Sequence, residues 1–285
     1  MAILCLNSHV AYGYVGNDAA GFCLRRLGVE AWQVDSVVLS NHPGYGACTG
    51  RVTPAVEMTA LLDGMERRGV FGGCRGVLAG YLGAAEQAAV VRDAFTRVRA
   101  ANPHALRVLD PVMGDHEPGL YVKRDTATAI VETLVPAADV ITPNAFELGE
   151  ITGIEVTGVD AALAASRTVL ERGPSIVLTT SIPDGEDRID LLAVAQNEAW
   201  VLSVAKLRFE VAPNGAGDAL AGLFAGHLVQ GRPLAEALQR SANAVHAVLE
   251  ATYASGRREL ALIAAQDAIT QTPERFPVRA LRRSR

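Results

Sequence analysis

The chain has 285 residues, of which 49% are hydrophobic and 20% charged, and its formal net charge at pH 7 is -5. This length is sufficient for one large domain with a sizeable core. The acidic balance argues against nucleic acid as the main partner, because domains that bind nucleic acid usually carry a basic face. The basic cluster VRALRRSR at 278–285 is interpreted as a solvated C-terminal tail.

Neither a membrane segment nor a disulfide framework is expected. No stretch reaches the roughly 18 consecutive apolar residues that a membrane helix needs, and MAILCLNSHV lacks the basic start of a signal peptide. The cysteines show no CxxC spacing, and a chain of this size does not need disulfides. They are Cys5, Cys23, Cys48 and Cys74. We therefore expect a soluble, cytoplasmic protein with reduced and mostly buried thiols.

Short apolar runs that predict strands alternate with longer segments whose apolar residues recur at helical spacing. In chain order the predicted strands are AILCL, WQVDSVVL, GVLAG, RVLD, DVIT, SIVLTT, DLLAVA and AWVLSVA. The predicted helices between them are NDAAGFCLRRLG, PAVEMTALLDGMERRG, AAEQAAVVRDAFTRVRAANP, DTATAIVETLVP and DAALAASRTVLERG, and further helices follow the last strand. This rhythm is typical of βαβ units and a mostly parallel sheet covered by helices. With no repeat or linker, we expect one domain spanning 1–285.

Polar residues that follow the predicted strands are the first candidates for a site, because open sheets of this kind bind ligands beyond the carboxyl ends of their strands. They are Asn7, Ser8, His9, Ser40, Asn41, His42, Tyr81, Asp110, Thr142, Asn144, Glu147 and Thr180. Asp218 belongs to the same edge if the apolar helix that follows it begins there.

The stretch PNGAGDALAG, residues 213–222, predicts an anion site at the start of that helix. The N–H groups of Gly215, Ala216 and Gly217 point outward at a helix N-terminus, where the dipole also favours an anion. They are therefore suited to a phosphate, or to the charge that develops while a phosphoryl group moves. A carboxylate beside that anion is poorly used as a helix cap, so we interpret Asp218 as a general base for an attacking alcohol.

The spacing NAFE, residues 144–147, places two hard oxygen ligands where Mg²⁺ could bind directly or through its waters. Asp110 is a third candidate for that ion. The alternatives are structural: Asn144 caps the helix AFELGEITG with Glu147 as its capping-box partner, and Asp110 is a turn residue before a proline. Two other nucleotide motifs are excluded, because no GxxxxGK[ST] occurs and Leu220 stands where GxGxxG needs its third glycine.

At this point the residues carry a family resemblance. GAGDALAG resembles the GxGD signature of the ribokinase superfamily, and NAFE resembles its NxxE magnesium motif. The resemblance implies an α/β fold, a three-layer α/β/α sandwich with a mostly parallel central sheet, in which the aspartate is the catalytic base and the glycine loop is the anion hole.

A closer resemblance is to the pyridoxal kinases, in particular the bacterial pyridoxamine/pyridoxal kinase type. It rests on NSHVAYGYVGNDAAGFCLRRLGVEAW, SNHPGYGACTG, GYLG, ANPHALRVLDPVMGD and ITPNAFEL, in this order along the chain. It implies transfer of the ATP γ-phosphate to the 5′-hydroxymethyl of pyridoxal, pyridoxamine or pyridoxine, to give pyridoxal 5′-phosphate in vitamin B6 salvage. It also implies Mg²⁺, a monovalent cation such as K⁺ as a second ion, and a homodimer.

The same resemblance implies roles for single residues. Ser8 is similar to the serine that contacts the vitamin ring, Tyr81 to a tyrosine beside that pocket, and Asp110, Asn144 and Glu147 to residues around magnesium and the phosphates. Segment 113–122 looks like a flap that shields the site from water. The remaining positions expected along the nucleotide are Thr142, Thr180, Ser203, Val204, Ala205 and Lys206.

Two positions depart from the pattern of many bacterial members. Pro43 and Gly44 in NHPGYG replace a threonine and a glutamine, so polar contacts to the ring are lost or made by backbone. Thr180 stands where a lysine is expected near the phosphates, and Lys206 is the nearest later lysine. We interpret the first change as one of substrate detail and the second as one that weakens ATP binding or slows transfer.

Two alternatives remain open. Hydroxymethylpyrimidine kinase shares the fold, the GxGD motif and a heteroaromatic alcohol substrate, whereas NSHVAYGYVGN and GYLG favour the vitamin B6 interpretation. A catalytically weak pyridoxal-binding protein would account for Thr180 and the altered pair at 43–44, but the retention of Asp218, the glycine loop and NxxE argues against it.

Overall fold

The computed structural model of the protein describes residues 1–281. Its strands, in chain order, are β1 (Ala2–Tyr12), β2 (Glu30–Asn41), β3 (Gly50–Val52), β4 (Cys74–Ala79), β5 (Leu106–Leu109), β6 (Gly114–Asp115), β7 (Gly119–Leu120), β8 (Val140–Ile141), β9 (Ile176–Asp184), β10 (Arg188–Ala195), β11 (Ala199–Ala205) and β12 (Arg279–Ala280). Its helices are α1 (Gly16–Arg26), α2 (Ala55–Arg67), α3 (Gln87–Ala101), α4 (Arg124–Ala129), α5 (Ala145–Thr152), α6 (Val159–Leu170), α7 (Ala216–Val229), α8 (Leu234–Ser255) and α9 (Asp267–Thr270).

The described strands form a 10-stranded sheet in the order β12-β11-β10-β9-β8-β5-β4-β1-β2-β3, and β6 and β7 form a separate hairpin. The central strands from β2 to β9 pair in parallel. Antiparallel pairs lie at the two edges, where β3 joins β2 and where β10, β11 and β12 follow β9. The carboxyl ends of the parallel strands therefore share one edge of the sheet.

Both faces of the sheet are buried, which explains why its strands are nearly continuous apolar runs. On β1, Ile3 and Cys5 belong to the core under α1, α7 and α8, whereas Leu4 and Leu6 belong to the core under α2 and α3. Successive strand residues point to opposite faces, so one strand supplies both layers. The predicted three-layer α/β class is confirmed.

Helix α7 is apolar on nearly all sides because it packs between the sheet, α1 and α8. Its contact with α1 is close: a Cβ added at Gly222 would lie 2.9 Å from both the Cα and the carbonyl oxygen of Ala20. This packing fixes the first turn of α7 relative to β1, which lies beneath α1.

The predicted strands and helices are confirmed, but some ends differ. β1 continues through Asn7, Ser8 and His9, and β2 continues through Ser40 and Asn41, so these residues lie within strands and not after them. The segment DTATAIVETLVP forms α4 and then a wide π turn at Ile130–Leu134.

The first part of the predicted solvated tail at 278–285 is exposed, but it is not free of the domain. Arg279 and Ala280 pair with β11, and the Leu281 N–H donates to the Ala199 carbonyl at 2.8 Å. Residues 282–285 lie outside the described residues. Within residues 1–281 no helix is long and apolar enough to cross a membrane. All four cysteines are free, and Cys48 alone is exposed.

Candidate active site

Helix α7 begins where the sequence predicts an anion site. Gly215 is its N-cap with φ of 92°, and a Cβ there would lie 1.9 Å from the Tyr14 carbonyl oxygen. Only glycine tolerates that backbone together with that approach. The first intrahelical hydrogen bond runs from the Ala219 N–H to the Gly215 carbonyl at 2.9 Å, so the N–H groups of Ala216 and Gly217 precede the helical ladder. A phosphate oxygen can therefore accept from them.

Asp218 lies in the same first turn, and Asn7 on β1 holds its carboxylate. Asn7 Nδ2 donates to Asp218 Oδ1 at 2.9 Å, while Asn7 Oδ1 accepts the N–H groups of Ser8 and Tyr81, each at 2.8 Å. Because backbone donors identify the Asn7 oxygen, its NH₂ group must face Asp218. Asn7 is 2% exposed. One buried amide thus fixes both the predicted base and the two residues predicted to contact the vitamin ring.

The environment of Asp218 suits a base. Burial raises its pKa above the ordinary value, although hydrogen bonds from the Gly16 N–H and Asn7 oppose that shift and the charge of Asp18 adds to it. A carboxylate with a raised pKa accepts a proton from an alcohol more readily than an exposed aspartate does. Asp218 also remains partly exposed, so a substrate can reach it.

Asp110 lies at the end of β5, buried beside Thr142 at the end of β8. Thr142 Oγ1 donates to Asp110 Oδ1 at 2.9 Å. Burial, followed by the nearby charge of Asp218, raises the pKa of Asp110 to about 7. The other oxygen of Asp110 has no hydrogen-bond donor within residues 1–281, so it is the oxygen that a cation could use.

Asn144 and Glu147 form a capping box at the start of α5. Asn144 Oδ1 accepts the Glu147 N–H at 2.8 Å, and Glu147 Oε2 accepts the Asn144 N–H at 2.9 Å. Glu147 Oε1 also accepts the Met113 N–H at 2.9 Å, and Asn144 Nδ2 donates to the Gly114 carbonyl at 2.8 Å. The structural alternative weighed for this pair is therefore present, and it fastens the base of the 113–122 segment to α5.

Segment 113–122 folds as the β6–β7 hairpin, and Tyr121 brings its hydroxyl near the buried carboxylates. Burial raises the pKa of Tyr121, and the charges of Glu147, Asp110 and Asp218 add to the shift in that order. The side chain is 50% exposed. Tyr121 is therefore a half-exposed residue of this hairpin whose hydroxyl senses the charge of the carboxylates, and the covering role of the segment stays a prediction.

The residues predicted around magnesium fit the ion in part. Burial, and then the charge of Asp110, raise the pKa of Glu147 well above its ordinary value, and a cation bound nearby would favour the charged form of both carboxyls. However, backbone groups already occupy the oxygens of Asn144 and Glu147, and no cluster of three or more His, Cys, Asp or Glu metal ligands occurs in residues 1–281. This arrangement suits an ion held by one carboxylate, waters and nucleotide phosphates, as Mg²⁺ usually is.

The residues predicted to bind the vitamin ring surround the end of β1. The register between β1 and β2 shifts between Asn7 and His9, which places Ser8 at an irregularity of the kind that re-aims side chains beside active sites. Tyr81 follows β4 and is half-buried. Burial and the nearby Cys48 raise its pKa, so the loop that carries Cys48 lies close to its ring.

Pro43 and Gly44 lie in that loop, within the 3₁₀ turn Pro43–Tyr45. His42 caps this turn, because its Nδ1 accepts the Gly44 N–H at 3.1 Å. Both Pro43 and Gly44 are exposed. The polar side chains that are replaced here would therefore have stood on an exposed turn, and not in a buried position.

Of the predicted nucleotide residues, Thr142 lies at the end of the parallel strand β8, and the others lie on β9, on β11 or directly after β11. The Thr180 N–H donates to the Pro143 carbonyl at 3.0 Å, which links β9 to the start of α5. Ser181, next in sequence, has a φ of 56°, at a register shift between β9 and β10. Ser203 lies opposite Asp190 on β10, at the same level of the sheet. Val204 is buried, whereas Ala205 and Lys206 are exposed where β11 ends.

Sequence reasoning named Asn7 among the candidates at the strand ends but gave it no specific role, and it gave none to Gly16 or Tyr121. The place of Asn7 directly after the apolar run AILCL was a usable signal, because a polar residue that is buried there needs hydrogen-bond partners. In the structure Asn7 is 2% exposed. Tyr121 had none, because its hydroxyl reaches the carboxylates only once the flap is folded.

The comparisons with known proteins agree with this geometry. The family model described as phosphomethylpyrimidine kinase matches residues 72–262. Together with the sheet and the carboxylate of Asp218 at the start of α7, this match defines a small-molecule kinase of ribokinase-like fold.

Similarity over the whole chain narrows that class. A pyridoxal kinase of Rubrobacter xylanophilus is 48% identical over 281 residues, which cover 97% of this chain and 96% of the relative. One of Corynebacterium diphtheriae is 40% identical, with 98% and 99% covered. The crystal structure of pyridoxal kinase from Leishmania donovani in complex with ADP and pyridoxamine has a TM-score of 0.92 at 26% identity and 99% coverage of both chains. The chain belongs to the pyridoxal kinase family.

Proposed function

We propose that the protein is an ATP-dependent pyridoxal kinase, which phosphorylates the 5′-hydroxymethyl group of pyridoxal, pyridoxamine or pyridoxine. The observation that carries the proposal is Asp218, fixed by Asn7 at 2.9 Å beside the leading N–H groups of α7. A base next to an anion site is what phosphoryl transfer to an alcohol requires. Relatives at up to 48% identity carry the name pyridoxal kinase, and two similar solved structures, both of the Leishmania donovani enzyme, are complexes with ADP and pyridoxamine or pyridoxine.

The chemical step follows from these positions. Asp218 accepts the proton of the 5′-hydroxyl while that oxygen forms a bond to the γ-phosphorus of ATP. The bond between the γ-phosphorus and the bridging oxygen breaks, and ADP carries the electron pair away. The N–H groups of Ala216 and Gly217 donate to the phosphoryl oxygens as charge spreads over them. Asn7 keeps the carboxylate oriented throughout.

Magnesium is part of the proposal, and Asp110 is the residue that would hold it. The bound ion would neutralise phosphate charge during transfer. Asn144 and Glu147 would act indirectly, through the ion's waters and by holding the flap, since backbone groups occupy their oxygens. Thr142, Thr180 and the 203–206 stretch would line the nucleotide. A monovalent cation such as K⁺ is a further component to be tested.

The experiment is a product assay. The purified protein is incubated with Mg-ATP and each of pyridoxal, pyridoxamine, pyridoxine and hydroxymethylpyrimidine, and the products are measured by mass. A phosphorylated B6 vitamer confirms the proposal and ranks the vitamers. Product from the pyrimidine alone would instead establish the second candidate, which the family model at 72–262 favours. Binding of pyridoxal without product would establish the weak binding protein.

The matched variant is Asp218→Asn, which keeps the size of the side chain and whose amide oxygen can still accept from Asn7 Nδ2. Turnover should fall roughly 10²–10⁴-fold, the usual contribution of a general base. Binding of ADP should remain, because the N–H groups of the first turn do not depend on the carboxylate. A decrease of less than a few-fold would exclude Asp218 as the base.

We also propose a homodimer in the cytoplasm. The family resemblance supports the dimer, and the free thiols of Cys5, Cys23, Cys48 and Cys74 suit a reducing compartment. Light scattering of the purified protein tests the first statement, and fractionation of the source cells tests the second.

A further inference from the structure

Two residues beyond α8 reach back to the predicted vitamin pocket. Arg258 and Glu259 follow the end of α8 at Ser255 and lie next to Leu260, which is 2% exposed within the core. The Ala261 N–H donates to the buried Thr252 Oγ1 at 2.9 Å. The short segment that carries Arg258 and Glu259 is therefore anchored on its C-terminal side.

The two carboxylate oxygens of Glu259 accept hydrogen bonds from two separate segments, the turn after β1 and the loop after β2. One oxygen accepts the Tyr45 hydroxyl, and the other accepts the Tyr14 N–H at 3.0 Å. A Cβ added at Gly13 would lie 2.4 Å from the second oxygen, and Gly13 has φ of 112°. The glycine at position 13 thus makes room for the carboxylate against the backbone that follows β1.

Arg258 holds the same loop from the other side. Its guanidinium lies 4.1 Å from the centre of the Tyr45 ring and donates to the Gly44 carbonyl. A Cβ on residue 44 would lie 3.4 Å from Arg258 Nη2 and 2.9 Å from His42 Nδ1. The glycine at this departure from the family pattern therefore leaves the space in which both contacts are made.

The same segment also contacts the anion site. The Leu260 Cδ1 atom lies 3.3 Å from the position of a Cβ on Gly215, and the Tyr14 carbonyl approaches the same point. One segment of three residues thus contacts the loop at 42–45, the turn after β1 and the N-cap of α7. When a loop carries residues that contact a ligand, supporting contacts of this kind hold those residues in the geometry that binding needs.

We propose that Arg258 and Glu259 are positioning residues that hold the loop His42–Tyr45 over the vitamin pocket, in register with Asp218 and the α7 N-terminus. The inference rests on the proposed kinase function for its kinetic consequence. Its structural part, the attachment of the loop, stands independently of that function.

The test uses Glu259→Ala, Tyr45→Phe and their double variant, with Glu259→Gln as the conservative variant. Loss of a hydrogen bond to a charged group should raise KM for pyridoxal roughly tenfold in Glu259→Ala, while KM for ATP stays within about twofold. Tyr45→Phe should raise the same KM, and the increase in the double variant should be smaller than the product of the two single increases.

Glu259→Gln should restore most of the affinity, because its oxygen still accepts the Tyr14 N–H. Glu250→Ala, which removes a surface partner of Arg275, is the matched control.

Hydrogen exchange of the peptide spanning 42–49 gives a readout that does not need activity. If Arg258 and Glu259 hold this loop, exchange there should be faster in Glu259→Ala and Tyr45→Phe, whereas exchange in α2 should be unchanged. An unchanged KM for pyridoxal with unchanged exchange would overturn the proposal, as would parallel increases in both KM values with a lowered melting temperature. If the wild-type protein phosphorylates no vitamer, the kinase proposal fails. The exchange experiment still tests whether Arg258 and Glu259 hold the loop His42–Tyr45.

Discussion

Three acidic side chains meet in the site, and their partners give them different tasks. Glu147 accepts only backbone N–H groups, so it is a structural carboxylate. Asp218 accepts an amide from Asn7 and remains partly exposed, which suits a base. Asp110 receives one hydroxyl, from Thr142, and keeps an oxygen for a cation. Neighbours, and not residue type, distinguish the three roles.

The contact between Asn7 and Asp218 predicts a shift in the pH profile. Asn7→Asp keeps the acceptor for the Ser8 and Tyr81 N–H groups but places a second carboxylate 2.9 Å from Asp218 Oδ1. Like charge and the lost donor both favour the protonated form, so the pKa of Asp218 rises. The acidic limb of kcat/KM should move to higher pH by about one unit or more.

Full pH–rate profiles of wild type and Asn7→Asp measure that shift. Gln230→Glu, the same amide-to-carboxylate change at the opposite end of α7, serves as the control. Coincident acidic limbs in wild type and Asn7→Asp would show that the amide does not tune the base.

The chemistry of single residues was partly readable in advance. GAGD predicts both an anion site and a base, because glycines at a helix start and an adjacent carboxylate have few other joint uses. The ring-binding roles of Ser8 and Tyr81 and the ligand roles of Asp110, Asn144 and Glu147 remain predictions. The contacts of Arg258 and Glu259 were not readable, since Tyr45 and Glu259 are 214 residues apart and no local pattern marks them.

At the scale of elements, hydrogen bonds from Asn144 and Glu147 attach helix α5 to the hairpin at 113–122, which is the predicted flap. Asn144 caps the helix with Oδ1 and holds the flap at the Gly114 carbonyl with Nδ2. Two functions on one side chain can be separated by substitution, because Asp retains the acceptor and loses the donor.

Asn144→Ala should lower the free energy of unfolding by about 0.5–2 kcal/mol, the usual value of an N-cap. Asn144→Asp should keep most of that stability yet still raise KM for ATP, because the flap loses its attachment. Chemical denaturation and steady-state kinetics on both variants check this. Equal loss of stability in the two would mean that the cap is not what Asn144 supplies.

The crossing of α1 and α7 predicts opposite effects for two glycines within helices. Gly222→Ala should destabilise the protein by roughly 1–3 kcal/mol, because its Cβ would meet Ala20 backbone atoms at 2.9 Å. Gly64→Ala in α2 should stabilise it by about 0.5–1 kcal/mol, since the nearest atom is the Arg67 guanidinium at 3.9 Å. Thermal unfolding of the pair measures the difference, and a stabilised Gly222→Ala would contradict the packing described.

Elements were more predictable than their ends. Apolar runs such as AILCL identify strands because both faces of the sheet are buried, and glycine or proline marks the helix ends. The continuation of β1 through Ser8 and His9 was not predictable from their polar side chains. It depends on backbone pairing with β2, and His9 finds its partner, Asp18, on α1 at 3.0 Å. The pairing of Arg279 and Ala280 with β11 was hidden for a similar reason: basic residues at an exposed edge strand resemble a free tail.

For the whole molecule, buried carboxylates link stability to pH. The pKa of Asp110 rises from 3.8 to about 7 on folding, so between these values the folded state binds a proton that the unfolded state has released. Its contribution to stability is therefore fully present below pH 3.8 and is lost as pH rises through about 7. A bound divalent cation favours the charged carboxylate and should reverse that loss.

Melting temperatures from pH 5 to 8 in the presence of a chelator test this relation. The wild type should lose more stability across that range than Asp110→Asn, at about 1.4 kcal/mol for each unit over which the extra proton is bound. Mg²⁺ with ADP should reduce the difference. Asp187→Asn, at a side chain that is 83% exposed, controls for net charge. Identical pH slopes in wild type and Asp110→Asn would refute the assignment.

The distance along the chain between partners in the site has a consequence for synthesis. Asn7 and Asp218 are 211 residues apart, and Tyr45 is 214 residues from its partner Glu259. The hairpins β9–β10–β11 close over short loops, whereas the base acquires its orientation only when the first strand meets the seventh helix. A nascent chain on the ribosome can therefore form local hairpins, but it cannot assemble the proposed active site until nearly all of the chain has emerged. Catalytic competence marks the end of folding, and no N-terminal fragment should carry a partial activity.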